Sequence, residues 1–211
     1  MATSIRAASM IGPEASSRAH RQLEGGFSLL EVMISMVILM VGLVSLLGVF
    51  GLAMATTLTS KEDMIAKQLA NEAYESILTA RNSSQLTWDD VQNSGSTNCP
   101  VTNSASCGIF LVPAQSIYKA GLDGIYGTSD DVNAGIQTLE EPGSDGTYGS
   151  SDDVLTPLTG YNRTIQFSQV LDSNNNVIPT VRAVNITIQY WTSQSRVQKT
   201  YTLNSFISQF N

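Results

Sequence analysis

Histidine is nearly missing from this chain: His20 is the only one in 211 residues. It sits in the first stretch, so a form that sheds that stretch has none. That excludes His-based triads and removes the commonest general base. Cysteine is scarce too, with only Cys99 and Cys107. Their spacing is too wide for a CxxC motif, and two thiolates without histidine make a poor tetrahedral zinc site. No Gly-x-Ser-x-Gly elbow and no phosphate-binding glycine loop occurs. These absences disfavour an enzyme. Charge is thin at 14%, with 11 Lys and Arg against 18 acids and a net charge of -7. Such a balance does not suit nucleic acid, whose phosphates need Lys and Arg.

What is present is a long apolar run from Phe27 to about Met54, FSLLEVMISMVILMVGLVSLLGVFGLAM, whose only charge is Glu31. A stretch of ~20 such residues spans a bilayer as a helix. A secretory signal has an apolar core of only ~7–15 residues followed by a cleavage site, and no A-x-A site follows here. Arg6, Arg18 and Arg21 precede the span and put the N-terminus in the cytoplasm. A carboxylate inside a membrane costs several kcal/mol unless paired, so Glu31 is a functional residue by default. Gly25-Gly26-Phe27 just upstream offers a small, extended site for a peptidase. A cut after Gly26 frees an amine on Phe27, and such an amine on a neighbouring subunit could neutralise Glu31.

Beyond the span, Leu58, Ile65, Leu69, Ala73 and Ile77 recur at helical spacing, with Lys61, Glu62, Asp63, Lys67 and Glu75 at other positions. A single helix from Phe27 to about Ala80 is predicted, ~80 Å long at 1.5 Å per residue. Its first half is apolar all round and its second half is amphipathic. Residues 82–160 are rich in Gly, Ser, Thr, Asn and Asp, with short strand candidates such as Gly108–Val112. A connection of that length is functional or poorly ordered. If this part faces an oxidising compartment, Cys99 and Cys107 form a local disulfide; otherwise they are two free thiols. The last third alternates: Tyr161-Arg163-Ile165-Phe167, Val184-Ile186-Ile188-Tyr190 and Val197-Tyr201-Leu203, with turn-like breaks between. Three such strands predict an antiparallel meander with one face on the amphipathic helix. The other face is left to solvent or a neighbouring subunit. The fold class is α+β.

An internal repeat stands inside the long connection. Gly121-Leu-Asp-Gly-Ile-Tyr-Gly-Thr-Ser-Asp-Asp-Val132 recurs as Gly143-Ser-Asp-Gly-Thr-Tyr-Gly-Ser-Ser-Asp-Asp-Val154, nine of twelve positions identical, which chance does not readily give. Asp123, Asp130 and Asp131 in one copy, and Asp145, Asp152 and Asp153 in the other, offer hard oxygens of the kind Ca²⁺ prefers. The pattern is not an EF-hand, since its twelfth position is Val. The alternative is a duplicated pair of Asp-Gly turns with solvated acids.

Gly26-Phe27-Ser28-Leu29-Leu30-Glu31-Val32 resembles the class III signal of type IV pilins and pseudopilins. The resemblance implies cleavage between Gly26 and Phe27 and methylation of the new Phe27 amine, both by the prepilin peptidase. It implies that Glu31 registers the subunit in a filament by meeting a neighbour's N-terminus. It implies the pilin fold, a long helix packed on a C-terminal antiparallel sheet, and major and minor pilins as partners. The subunit is then held in the bacterial inner membrane, its C-terminal part periplasmic, before moving to a pilus at the cell surface. Val37-Ile-Leu-Met-Val-Gly-Leu43 followed by Leu46-Leu47-Gly48 is similar to PilV-type minor pilins. The I-type minor pseudopilins of type II secretion begin in a related way, so a pseudopilus or DNA-uptake machine is the alternative. The likeness covers roughly residues 25–80. The expected parts are a leader 1–26, with Met1 or Met10 as its start, a membrane and filament-core helix 27–54, its amphipathic continuation 55–81, the irregular loop 82–160 and the meander 161–211. Many major pilins carry a proline about twenty residues into the mature chain. Here Gly42, Gly48 and Gly51 stand in that zone instead, suiting local melting or close helix packing.

Overall fold

A computed structural model describes residues 26–102, 106–193 and 196–210. The stretch up to Gly25, with His20 and the three arginines, lies outside the described residues. The chain forms two compact units, Met1–Val49 and Phe50–Asn211. Helix α1 runs Leu29–Asn82 without a proline. In the first unit its side chains are exposed all round. By length and composition this helix is apolar enough to cross a membrane, with a mean hydropathy of 2.7 over its most apolar window.

In the second unit the rest of α1 packs on a sheet. Besides Leu69 and Ile77, the buried residues of α1 are Ala66, Ala70, Ala73 and Ala80. The helix therefore meets the sheet largely through methyl groups, and small residues let the two approach closely. Leu58, expected on this stripe, is 44% exposed. The helix ends where Ser84 takes a positive φ and the Gln85 and Leu86 amides both donate to the Ala80 carbonyl, leaving no place for a further turn.

The elements that follow are β1 (Gln115–Ser116), α2 (Asp131–Ala134), β2 (Thr138–Glu141), β3 (Val154–Pro157), β4 (Tyr161–Leu171), β5 (Val177–Trp191) and β6 (Gln198–Ser208). The main sheet has the order β1-β4-β5-β6, antiparallel throughout, and β2-β3 form a separate hairpin. Asp172 closes the β4–β5 turn by accepting the Asn174 and Asn176 amides. Period-two alternation then sends Arg182, Val184, Ile186, Ile188 and Tyr190 to one face of β5. Val184, Ile186, Ile188 and Tyr190 meet Tyr161 and Ile165 of β4, Ile207 of β6 and the alanine stripe of α1 in one core. Each fully buried Ile there contributes about 1.5–3 kcal/mol relative to exposure.

The segment Gly108–Val112 is not a strand. Gly108 has φ +84. The Ile109 and Phe110 amides bond to the loop carbonyls of Asp90 and Gln92. Only the single bridge Asn93–Phe110 results. Phe110 is instead a core residue, with no exposed surface and its ring 4.9 Å from that of Phe167. Asn93 stands in for a strand: it accepts the Phe167 amide at 2.8 Å and donates to the Ile165 carbonyl at 2.7 Å, covering the β4 edge beyond β1.

The candidate functional site: the processing segment and the aspartate loops

Gly26, Phe27 and Ser28 lie before the first helical residue. The Ser28 carbonyl accepts the Val32 amide and so opens the hydrogen-bond ladder. Among the described residues, nothing lies within 4 Å of the position a Gly26 side chain would take, and Phe27 is 82% exposed. An exposed, non-helical stretch that begins with glycine and is followed at once by a helix is a form a peptidase can grip. Glu31 occupies the first turn of α1 and is exposed. A carboxylate there is favoured by the free amides and positive dipole end of the helix. Gly26, Phe27 and Glu31 thus sit together at one helix end.

The cysteine pair is joined. Cys99 and Cys107 form a disulfide with Cα atoms 5.9 Å apart. The bond closes a loop already held by reciprocal Ser96–Cys107 backbone bonds and by Gln92, which donates to the Asn98 carbonyl at 2.7 Å. Replacing both cysteines by Ser is expected to cost about 2–3 kcal/mol. The measurement is chemical unfolding of the detergent-solubilised chain, with and without reductant. An unchanged midpoint would show that the hydrogen bonds alone hold this loop.

In each repeat the three aspartates converge, with one carboxylate oxygen of each within 4.8 Å of the others. The two copies are wired alike. Asp131 accepts the amides of Gly121 and Gly127 at 3.0 and 2.6 Å; Asp153 accepts those of Gly143 and Gly149 at 3.2 and 2.6 Å. Asp123 and Asp145 each accept the amide two residues on, both at 2.8 Å. These bonds make the acids turn brackets in their own right. Gly127 (φ +90) and Gly149 (φ +81) supply the left-handed backbone. A side chain at 127 would also strike Ile165, whose Cδ1 lies 2.6 Å from the Cβ position.

The surroundings of the copies differ. Ile125 of the first is buried in the core, where the second has exposed Thr147. Burial pushes the Asp131 carboxyl up, against the Gly127 and Gly121 amides and the nearby Arg163 cation. Arg163 is 2% exposed and lies over the Tyr126 ring at 4.4 Å. Tyr126 donates to Glu72 of α1 at 3.0 Å, which fastens the first loop to the helix. The second copy forms the exposed tip between β2 and β3. The Ser150 and Ser144 hydroxyls hold Asp152 down at about 2. Arg163 carries no sequence motif; only its place in the alternation of β4 hinted that it points inward.

Residues 21–47 match the family model described as the prokaryotic N-terminal methylation motif. The match covers the segment that carries Gly26, Phe27 and Glu31. It indicates a type IV pilin-like or pseudopilin protein, a class that is generally structural and handled by prepilin peptidase. No curated protein and no solved structure matches the chain.

Proposed function

We propose that this protein is a minor pilin of a type IV pilus, a non-catalytic subunit that enters the fibre through α1 and supports assembly or pilus-dependent adhesion and motility. The methylation motif, set on an exposed pre-helical segment and followed by a helical half whose only charge is Glu31, is the observation that carries this reading. Prepilin peptidase removes residues 1–26 and methylates Phe27, and the remaining chain waits in the inner membrane with its disulfide-bonded part in the periplasm. The PilV-like run after Val37 favours a pilus over a secretion pseudopilus. Mass spectrometry of the chain recovered from sheared surface fibres tests this. Finding it there with N-methyl-Phe27 at its start supports the proposal. A chain that retains its leader, or that appears only with a secretion machine, overturns it.

A local proposal concerns the aspartate loops. Ca²⁺ binds the second copy in preference to the first, because among the described residues no arginine faces its acids and they are reachable from solvent. In the first copy the Arg163 cation and the buried turn already answer Asp131. Titrating the detergent-solubilised chain with Ca²⁺ is expected to give heat that the double substitution Asp152→Asn, Asp153→Asn removes and Asp130→Asn leaves. Absence of heat at millimolar Ca²⁺ would leave both copies as turns alone.

A further inference from the structure

The outward face of β4, β5 and β6 carries no charge. The strand register places Thr164, Thr187 and Thr202 side by side in one row. Gln166, Asn185 and Asn204 form the next row. The row on the other side is Asn162, Gln189 and Thr200. From the Trp191–Gln198 pair to the Val181–Ser208 pair, every outward residue of β5 and β6 is uncharged. The charged residues on these stretches, Arg163, Arg182 and Lys199, all belong to the opposite, inward set. Two aromatic rings complete the face: Trp191 at one end and Phe206 toward the other, 57% and 65% exposed. Their rows are eight residues apart along β5, roughly 27 Å at the antiparallel rise.

Most polar groups here are unengaged. Asn185 donates to Asn204 Oδ1 at 2.6 Å and accepts from Thr187 at 2.9 Å. Among the described residues, the side chains of Gln166, Gln189, Thr200 and Thr202 have no hydrogen-bond partner within the protein. These groups present amide and hydroxyl donors and acceptors on a rigid three-strand surface. The order of chemistry is the reverse of a protein interface, which is apolar at its centre and polar at its rim. Here the centre is amide and hydroxyl, and the apolar area lies at the ends, Trp191 at one and Phe206 with Ala183 and Val181 at the other. A face without charge, on a chain of net charge -7, complements an uncharged partner rather than a polyanion or polycation.

We propose that this face binds an uncharged polysaccharide, laid as an extended chain along the strands. Its hydroxyls exchange hydrogen bonds with the Gln, Asn and Thr rows, and the C–H faces of its rings rest on Trp191 and Phe206. The inference concerns the sheet alone and stands whether the chain enters a pilus or a pseudopilus. The test is isothermal titration of the full chain in a detergent without sugar headgroups. The probes are the hexasaccharides of cellulose, chitin, starch and mannan, with a heparin hexasaccharide for comparison. At least one uncharged probe is expected to bind and heparin is not. Trp191→Ala should weaken binding at least tenfold, and Thr202→Glu should abolish it. Both residues are exposed, so both variants should keep the parent unfolding temperature. The proposal is overturned if none of the four uncharged probes binds at millimolar concentration, or if heparin is preferred. Binding that survives both substitutions also overturns it. So does a dimer, seen by light scattering, that depends on Trp191 and Thr202 and that no saccharide dissolves.

Discussion

Glu31→Ala is expected to remove the subunit from surface fibres almost entirely while leaving its cleavage and membrane insertion intact. The reasoning rests on where the charge sits. Glu31 is the sole ionisable group of the apolar run, and α1 around it is exposed on all sides in the single chain. Helices packed side by side in a fibre would bury that carboxylate, at a cost of several kcal/mol unless a cation meets it. On the proposed reading, the methylated amine freed at Phe27 of a neighbour would be that cation. Removing the acid leaves that amine unanswered, which is the costly half of a broken buried pair, about 3–5 kcal/mol. Glu31→Asp shortens the reach and should retain partial incorporation. Immunoblots of sheared fibres against membrane fractions measure the ratio. Equal fibre content for Glu31→Ala and the parent would remove the registry role from this residue.

Arg182→Ala is expected to destabilise the second unit by about 3–5 kcal/mol. For a domain of this size that is a fall of roughly 10 °C in the unfolding midpoint. Arg182 is buried on β5, and its guanidinium donates to the carbonyls of Trp88 and, at 3.1 Å, Val91. It also lies 4.2 Å from the centre of the Trp88 ring. Burial pulls its pKa down to about 10, with Asp89 opposing, so it stays charged at neutral pH. Asp89 is 1% exposed and accepts the Val101 and Thr102 amides at 3.1 and 2.6 Å. One cation therefore holds two loop carbonyls and faces a buried carboxylate that folds back the chain next to the disulfide. Removing it leaves both carbonyls without their donor and takes a nearby cation from Asp89, whose bonds from Val101 and Thr102 remain. Arg182→Lys keeps the charge but reaches the carbonyls with a single point rather than a planar fork, so it should recover less than half of the loss. Thermal unfolding followed by circular dichroism gives the values, and a loss below 1 kcal/mol for Arg182→Ala would show that water replaces the guanidinium freely.

Much of the fold was legible because its signals are local. The apolar run of α1, its amphipathic continuation and the alternation of the last three strands each repeat at a period that one segment reveals alone. The helix-on-antiparallel-sheet arrangement follows from those periods. The processing segment is equally local, since Gly26, Phe27 and Glu31 fall within one turn of the helix start. The reading of Gly108–Val112 as a strand went wrong for the opposite reason. Its apolar residues looked like a strand, but Gly108 turns the backbone and the amides go to Asp90 and Gln92, contacts no window of sequence displays. Leu58 was placed on the buried stripe because it is large and apolar, whereas the sheet selected alanines for close approach.

The sequence by itself determined the long apolar helix, the segment that matches the methylation motif, the fold class and the repeated aspartate turns, because each depends on neighbours a few residues apart. Only the tertiary structure decided which repeat lies against the core and which stands at a hairpin tip, since Ile125 needs a core to enter and Thr147 does not. It also decided that Arg182 answers Asp89 and the Trp88 loop. The uncharged rows of the outer sheet face belong to the structure as well. Alternation within one strand shows two faces, but only the register between strands sets Thr164 beside Thr187 and Thr202, and a slip of one residue would have turned that face inward.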